Sequence, residues 1–113
     1  MSAEAFGGGE ATFDLRRHRV GGSVRVTVLG ELDLQTERAL VAEVDAALEG
    51  GGVAQLVLDV TGVQFIDSSG LRSLLMCRDR ARRDGAAVLL AVESGPVTAL
   101  LDVAGVGDWF SYE

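Results

Sequence analysis

Along this chain the apolar residues switch repeatedly between two spacings, every second residue and one helical turn, and that alternation limits the fold more tightly than any other feature. Over residues 11–19, Phe13 and Leu15 alternate with polar neighbours, and after Gly21-Gly22 the pattern resumes at Val24, Val26 and Val28. The spacing predicts two adjacent strands joined by a tight turn. Leu40, Val44 and Leu48 then share one helical stripe, with Val41 beside it and Gly50-Gly51-Gly52 closing it. This predicts a first helix over residues 36–49. In residues 55–60 the run Leu56, Val57, Leu58 is uninterrupted, as suits a central strand buried on both faces.

A second helix follows, with Leu71, Leu74 and Leu75 at helical spacing and an Arg-rich last turn before Gly85. Residues 87–92 form the next buried strand. Pro96 opens a third helix whose apolar face is Val97, Leu100, Leu101 and Ala104, and Gly105 stops it. Trp109, Phe110 and Tyr112 are expected to form a short final strand, with Trp109 and Phe110 covering the end of the core. Helices alternating with strands imply an α/β layer structure with right-handed crossovers between parallel strands.

The chain has 113 residues, which suits one core, and 48% of them are hydrophobic, enough apolar surface to offset the entropy of ordering. One domain is expected over residues 11–113, with residues 1–10, which include Gly7-Gly8-Gly9, as a flexible leader. A net charge of −7, with no Lys among ten basic residues, argues against nucleic acid and anionic membranes and favours a protein partner. No apolar stretch is long enough to span a bilayer and no secretion signal precedes the domain, so a cytoplasmic protein is expected. One Cys77 and one His18 provide neither an internal disulfide nor a metal site, and no cofactor is expected.

In sheets of this kind functional groups gather where strands end and helices begin. Asp33 and Ser68 both fall in such connections. Ser68 admits a plain reading as a helix N-cap, its oxygen accepting an orphan backbone N–H. Asp67 has the same option as a turn and capping residue. A catalytic or metal-binding role for Asp33 with Asp67 finds no supporting His or acidic cluster. Arg72, Arg78, Arg80, Arg82 and Arg83 suggest an anion or partner surface but better suit a solvated face that complements the helix dipole, and Met76 and Cys77 suit packing.

Two motifs, Gly30-Glu31-Leu32-Asp33 and Asp59-Val-Thr-Gly-Val-Gln-Phe-Ile-Asp67-Ser68-Ser69-Gly70-Leu71, stand in this order and at this spacing. Together they resemble the STAS domain, and within it the bacterial anti-sigma-factor antagonists. The likeness extends from Ala11 onward and includes Gly95-Pro96-Val97, Leu100-Leu101-Asp102 and Gly105. It implies the STAS fold: a mixed central sheet of four to five strands, helices mainly on one face, in the order β-β-α-β-α-β-α(-β). It also implies a non-enzymatic switch that is a monomer when free. The unphosphorylated form would bind an anti-sigma factor that is itself a serine kinase, freeing the sigma factor. Phosphorylation of Ser68 would block that binding, and a serine phosphatase would restore it. Asp33, Asp67, Ser68, Ser69 and Gly70 are the partner-binding positions so implied.

Two features depart from the family pattern. Arg72 stands where close relatives often have a small residue, and the sequence stops at Glu113, before a last helix that many members carry. Three other functions compete. A two-component receiver requires a Lys that this chain lacks. A hydrolase with Ser68 as nucleophile has neither a Gly-x-Ser-x-Gly elbow nor a His other than His18, in an early strand. A STAS module of a lipid-transport or stress-signalling scaffold complex carries the same motifs.

Overall fold

The computed structural model describes residues 13–113, and the leader expected over residues 1–10 lies outside them. The first two strands, β1 (Phe13–Val20) and β2 (Ser23–Leu32), form an antiparallel hairpin in which Val20 faces Ser23 across Gly21-Gly22. Gly21 turns the chain with φ +59, a conformation that costs other residues energy. Then follow α1 (Glu37–Leu48), β3 (Gln55–Ile66), α2 (Ser68–Arg83), β4 (Ala87–Ala91) and α3 (Pro96–Ala104). A single 3-10 turn at Gly107–Trp109 leads into β5 (Ser111–Tyr112). The five strands lie in the order β1-β2-β3-β4-β5, and every neighbouring pair after the hairpin is parallel. The expected α/β sheet is therefore present, with its last strand formed.

Register explains the core. Val24 pairs with Leu56 and Leu56 with Val88, while Val26 pairs with Leu58 and Leu58 with Leu90. Side chains directly opposite share a sheet face, so these rows form one apolar surface, buried with Leu40 and Val44 of α1 and Leu74, Cys77 and Ala81 of α2. Each fully buried Leu or Val contributes about 1.5–3 kcal/mol relative to exposure. Helix α3 adds Val97 and Leu101 to the same cluster. Burial pushes the Cys77 thiol up to about 12, which keeps it protonated and suits its packing role.

On the opposite face a charged brace crosses the sheet. Arg25 of β2 donates through Nε to Asp59 Oδ2 at 3.1 Å and through both terminal nitrogens to Glu113 at 2.7 and 2.8 Å. Val57, paired with Arg25 in the sheet, is only 3% exposed on this face. Burial alone would raise the Asp59 carboxyl. Hydrogen bonds from the Thr61 hydroxyl and N–H, with Arg25 beside it, outweigh that and hold it below its ordinary value.

Strand β3 departs from expectation by running on to Ile66 rather than ending near residue 60. Its register against β2 slips twice, between Thr27 and Leu29 and again between Gly30 and Glu31, each slip placing one extra β3 residue opposite β2. The buried positions accordingly go from Leu56, Leu58 and Val60 to Val63 and Ile66. A bulged strand loses its period of two, which hid its second half in the sequence. Trp109 also differs: Phe110 enters the core, whereas the 3-10 turn leaves the Trp109 side chain 53% exposed. Only Phe110 covers the core end as expected.

The Arg residues of α2 do not form one solvated face. Arg72 bonds Glu37 of α1, Arg80 bonds Asp45 of α1, and Arg78 donates to the Trp109 carbonyl and to Asp79. The two interhelical pairs each join residues 35 apart in sequence, so α1 and α2 are held in one axial register.

Candidate functional site

Leu32 and Ile66 pair at the ends of β2 and β3, and the Asp67 N–H donates to the Leu32 carbonyl at 3.3 Å. The next residues, Asp33 and Asp67, thus leave the sheet side by side, each leading into a helix. The structure brings Asp33 and the Asp67-Ser68-Ser69-Gly70 segment to one end of the sheet.

The first connection closes on itself. Asp33 Oδ1 accepts from the N–H of Gln35 at 3.0 Å and of Thr36 at 3.2 Å. The Thr36 hydroxyl accepts from the Asp33 N–H at 2.9 Å and donates to the Glu31 carbonyl at 3.0 Å. Asp33 therefore organises the turn into α1 while its side chain stays half-buried.

The second connection is built differently. Asp67 is the N-cap of α2, its Oδ1 accepting the Gly70 N–H at 2.9 Å. The plain capping role open to Ser68 is thereby filled by its neighbour. Ser68 is the first helical residue and is exposed, and among the described residues its hydroxyl has no protein hydrogen-bond partner. Ser69 is half-buried. Gly70 is buried, and a Cβ there would stand 2.1 Å from the Leu32 carbonyl oxygen. Its absence of a side chain lets α2 begin hard against β2, so Gly70 fixes the site from beneath rather than offering surface.

Four residues that sequence reasoning left outside the site border it. Leu34, in the turn after Asp33, and Phe65, near the end of β3, are 65% and 49% exposed. An apolar side chain in an otherwise polar turn, and one out of step with the strand alternation, were the available signals. Glu37 and Arg72 join the first turn of α1 to the second of α2, with bonds of 3.2, 2.8 and 3.0 Å. The hydrogen bonds to Glu37, reinforced by its charge, hold the Arg72 guanidinium still more firmly protonated, and Asp67 adds an effect of the same sign.

The arrangement presents a nucleophilic hydroxyl with no base of its own. His18 pairs with Arg25 near the start of β2, seven residues from Leu32 along that strand, a separation of roughly 23 Å at 3.3 Å per residue. It belongs to the other end of the sheet, which removes the Ser-His chemistry of a hydrolase. Among the described residues no three His, Cys, Asp or Glu side chains gather as metal ligands, and no helix is long and apolar enough to cross a membrane.

Known proteins agree with this architecture. The family described as Mlab, STAS domain matches residues 15–111. The chain is 30% identical over 93 residues to an anti-sigma F factor antagonist of Paenibacillus polymyxa, covering 82% of this chain and 78% of that one. An anti-sigma factor antagonist from Mycobacterium paratuberculosis has a similar fold, with a TM-score of 0.77 at 22% identity over 88% of this chain and 85% of that one. So does the Bacillus cell fate determinant SpoIIAA in its phosphorylated form, with a TM-score of 0.66 at 22% identity over 89% and 90% of the two chains. By sequence match, sheet order and helix placement, this chain belongs to the STAS-domain family of anti-sigma-factor antagonists.

Proposed function

We propose that this chain is a partner-switching antagonist whose single phosphoacceptor is Ser68. The observation that carries the reading is the exposed Ser68 hydroxyl, which among the described residues has no protein hydrogen bond while Asp67 caps α2. In its unphosphorylated form the domain, residues 11–113, is a cytoplasmic monomer. It docks on an anti-sigma factor with serine-kinase activity through the surface around Asp33, Asp67, Ser68 and Ser69, flanked by Leu34 and Phe65. In the kinase complex Ser68 Oγ attacks the γ-phosphorus of ATP. The new P–O bond forms as the bond to ADP breaks, and the hydroxyl proton passes to a base of the kinase. A serine phosphatase returns the hydroxyl by hydrolysis.

The phosphate adds about −1.5 to −2 charges beside Asp33 and Asp67. The free N–H groups and dipole at the start of α2 favour an anion there, so the fold survives the modification. A partner closing over that end must desolvate the added charge and is expelled. The phosphorylated Bacillus protein of similar fold supports this reading.

The test is affinity for the cognate anti-sigma kinase, with phosphopeptide mass spectrometry after incubation with ATP. Ser68→Ala is expected to keep the complex and Ser68→Asp to weaken it about 100-fold or more, on the scale of a charge buried without a partner. Equal affinities for the two variants, or phosphate found elsewhere, would sink the proposal. Capture of a transporter ATPase, indifferent to Ser68→Asp, would instead favour the transport-complex reading.

A further inference from the structure

We propose that Arg72 is the positioning residue for a phosphate on Ser68, receiving it on guanidinium Nη1 while Nε and Nη2 remain on Glu37. The inference rests on the reading of Ser68 as a phosphoacceptor and adds where the phosphate goes.

Residues four apart on a helix are neighbours, and helical side chains lean toward the N-terminus. Arg72 therefore shares a helix face with Ser68. Its observed bonds follow that direction: Nε and Nη2 meet Glu37, in the first turn of α1. Among the described residues Nη1 makes no hydrogen bond, and the Arg72 side chain is 58% exposed, so this edge is open to an incoming anion. The charge of Asp67, adjacent to Ser68, is already felt at the guanidinium.

A guanidinium has a fork geometry that serves two oxyanions on different edges, which an ammonium cannot do with the same orientation. Glu37 thus acts as the fixed post. It holds the Arg72 fork between the starts of α1 and α2, and the phosphate is drawn onto that seam instead of standing free in solvent. Arg38 lines the same groove as Glu37 and Arg72, and Asp67 acts on the Arg72 guanidinium from the start of α2.

The two serines differ in exposure, Ser68 being exposed and Ser69 half-buried. One turn beyond Ser69 lies Ser73, which is buried and donates to the Gly70 carbonyl at 2.6 Å. Ser69 lies three residues before Arg72, also a neighbouring spacing on a helix, so the guanidinium is a candidate neighbour of both serines.

The experiment installs phosphoserine at position 68 of the full chain during translation, so the phosphate is present whether or not a kinase recognises the protein. Its second ionisation is followed by phosphorus NMR. In the parent the phosphate is expected to titrate about half a pH unit or more below its value in Arg72→Ala, the direction a nearby cation imposes. Arg72→Gln guards against a folding defect in the alanine variant and should behave alike. Arg72→Lys should recover only part of the difference. Equal titration in parent, Arg72→Ala and Arg72→Gln would overturn the proposal. A kinase that ignores Ser68 while the installed phosphate still depends on Arg72 would instead refute the proposed function and leave this contact standing.

Discussion

Thr36 and Ser68 are both hydroxyl residues at the start of a helix that follows a sheet strand, yet the structure uses them in opposite ways. The Thr36 hydroxyl is saturated, accepting from Asp33 and donating to Glu31, whereas Ser68 leaves capping to Asp67 and among the described residues its hydroxyl has no partner. The difference teaches that availability for chemistry is set by who does the local structural work. A hydroxyl already holding two backbone groups cannot be modified without loosening its turn. One excused by a neighbouring carboxylate can.

The contrast has measurable edges. The largest effect is expected at the support under the second connection. Gly70→Ala drives a methyl group into the Leu32 carbonyl and should cost about 3 kcal/mol in denaturant unfolding, the upper part of the overpacking range. A loss below about 1 kcal/mol would mean that α2 withdraws easily from β2. Next comes Thr36→Val, which strands the Asp33 N–H and the Glu31 carbonyl and should cost about 1–2 kcal/mol. Asp67→Ala removes the cap of α2 and should cost about 1 kcal/mol. Ser68→Ala should stay within about 0.5 kcal/mol of the parent, like other surface changes that remove no contact. If Ser68→Ala cost as much as Thr36→Val, the two hydroxyls would be structural equals and the contrast would fail.

A smaller effect is expected far from either connection, on the braced sheet face. The Asp59 carboxyl lies below its ordinary value of 3.8 in the folded chain, so its contribution is present above that pH and is lost as pH falls through the lowered value. The melting temperature should decline with acid below about pH 4, and Arg25→Met should make that decline shallower. An unchanged profile would mean that the brace contributes nothing to stability.

Much of this molecule is written in short-range pattern. Val24, Val26 and Val28 announced β2, Leu40, Val44 and Leu48 announced α1, and Pro96 with Gly105 bracketed α3, because each signal lies within one element. Other features were not legible in local pattern. The second half of β3 was hidden by slips that exist only relative to β2. Asp67 and Ser68 are both good capping residues, and only the closed geometry assigns the cap to Asp67. Glu37 and Arg72 meet across 35 residues, and no local pattern couples them. The place of the Asp-Ser-Ser-Gly segment at the start of α2 was readable, but the reason for its glycine was not until Leu32 was seen against it.

The two slips in β3 also govern how evolution can edit this protein. A strand presents alternate residues to alternate sides, so removing one residue between Val60 and Ile66 would invert everything that follows it. Ile66 would turn outward, and the serine would begin its helix from the wrong side. A change of length in this stretch therefore reaches further than a substitution at one of its exposed positions, and the spacing between Asp59 and Ser68 acts as a ruler that sets which way Ser68 points.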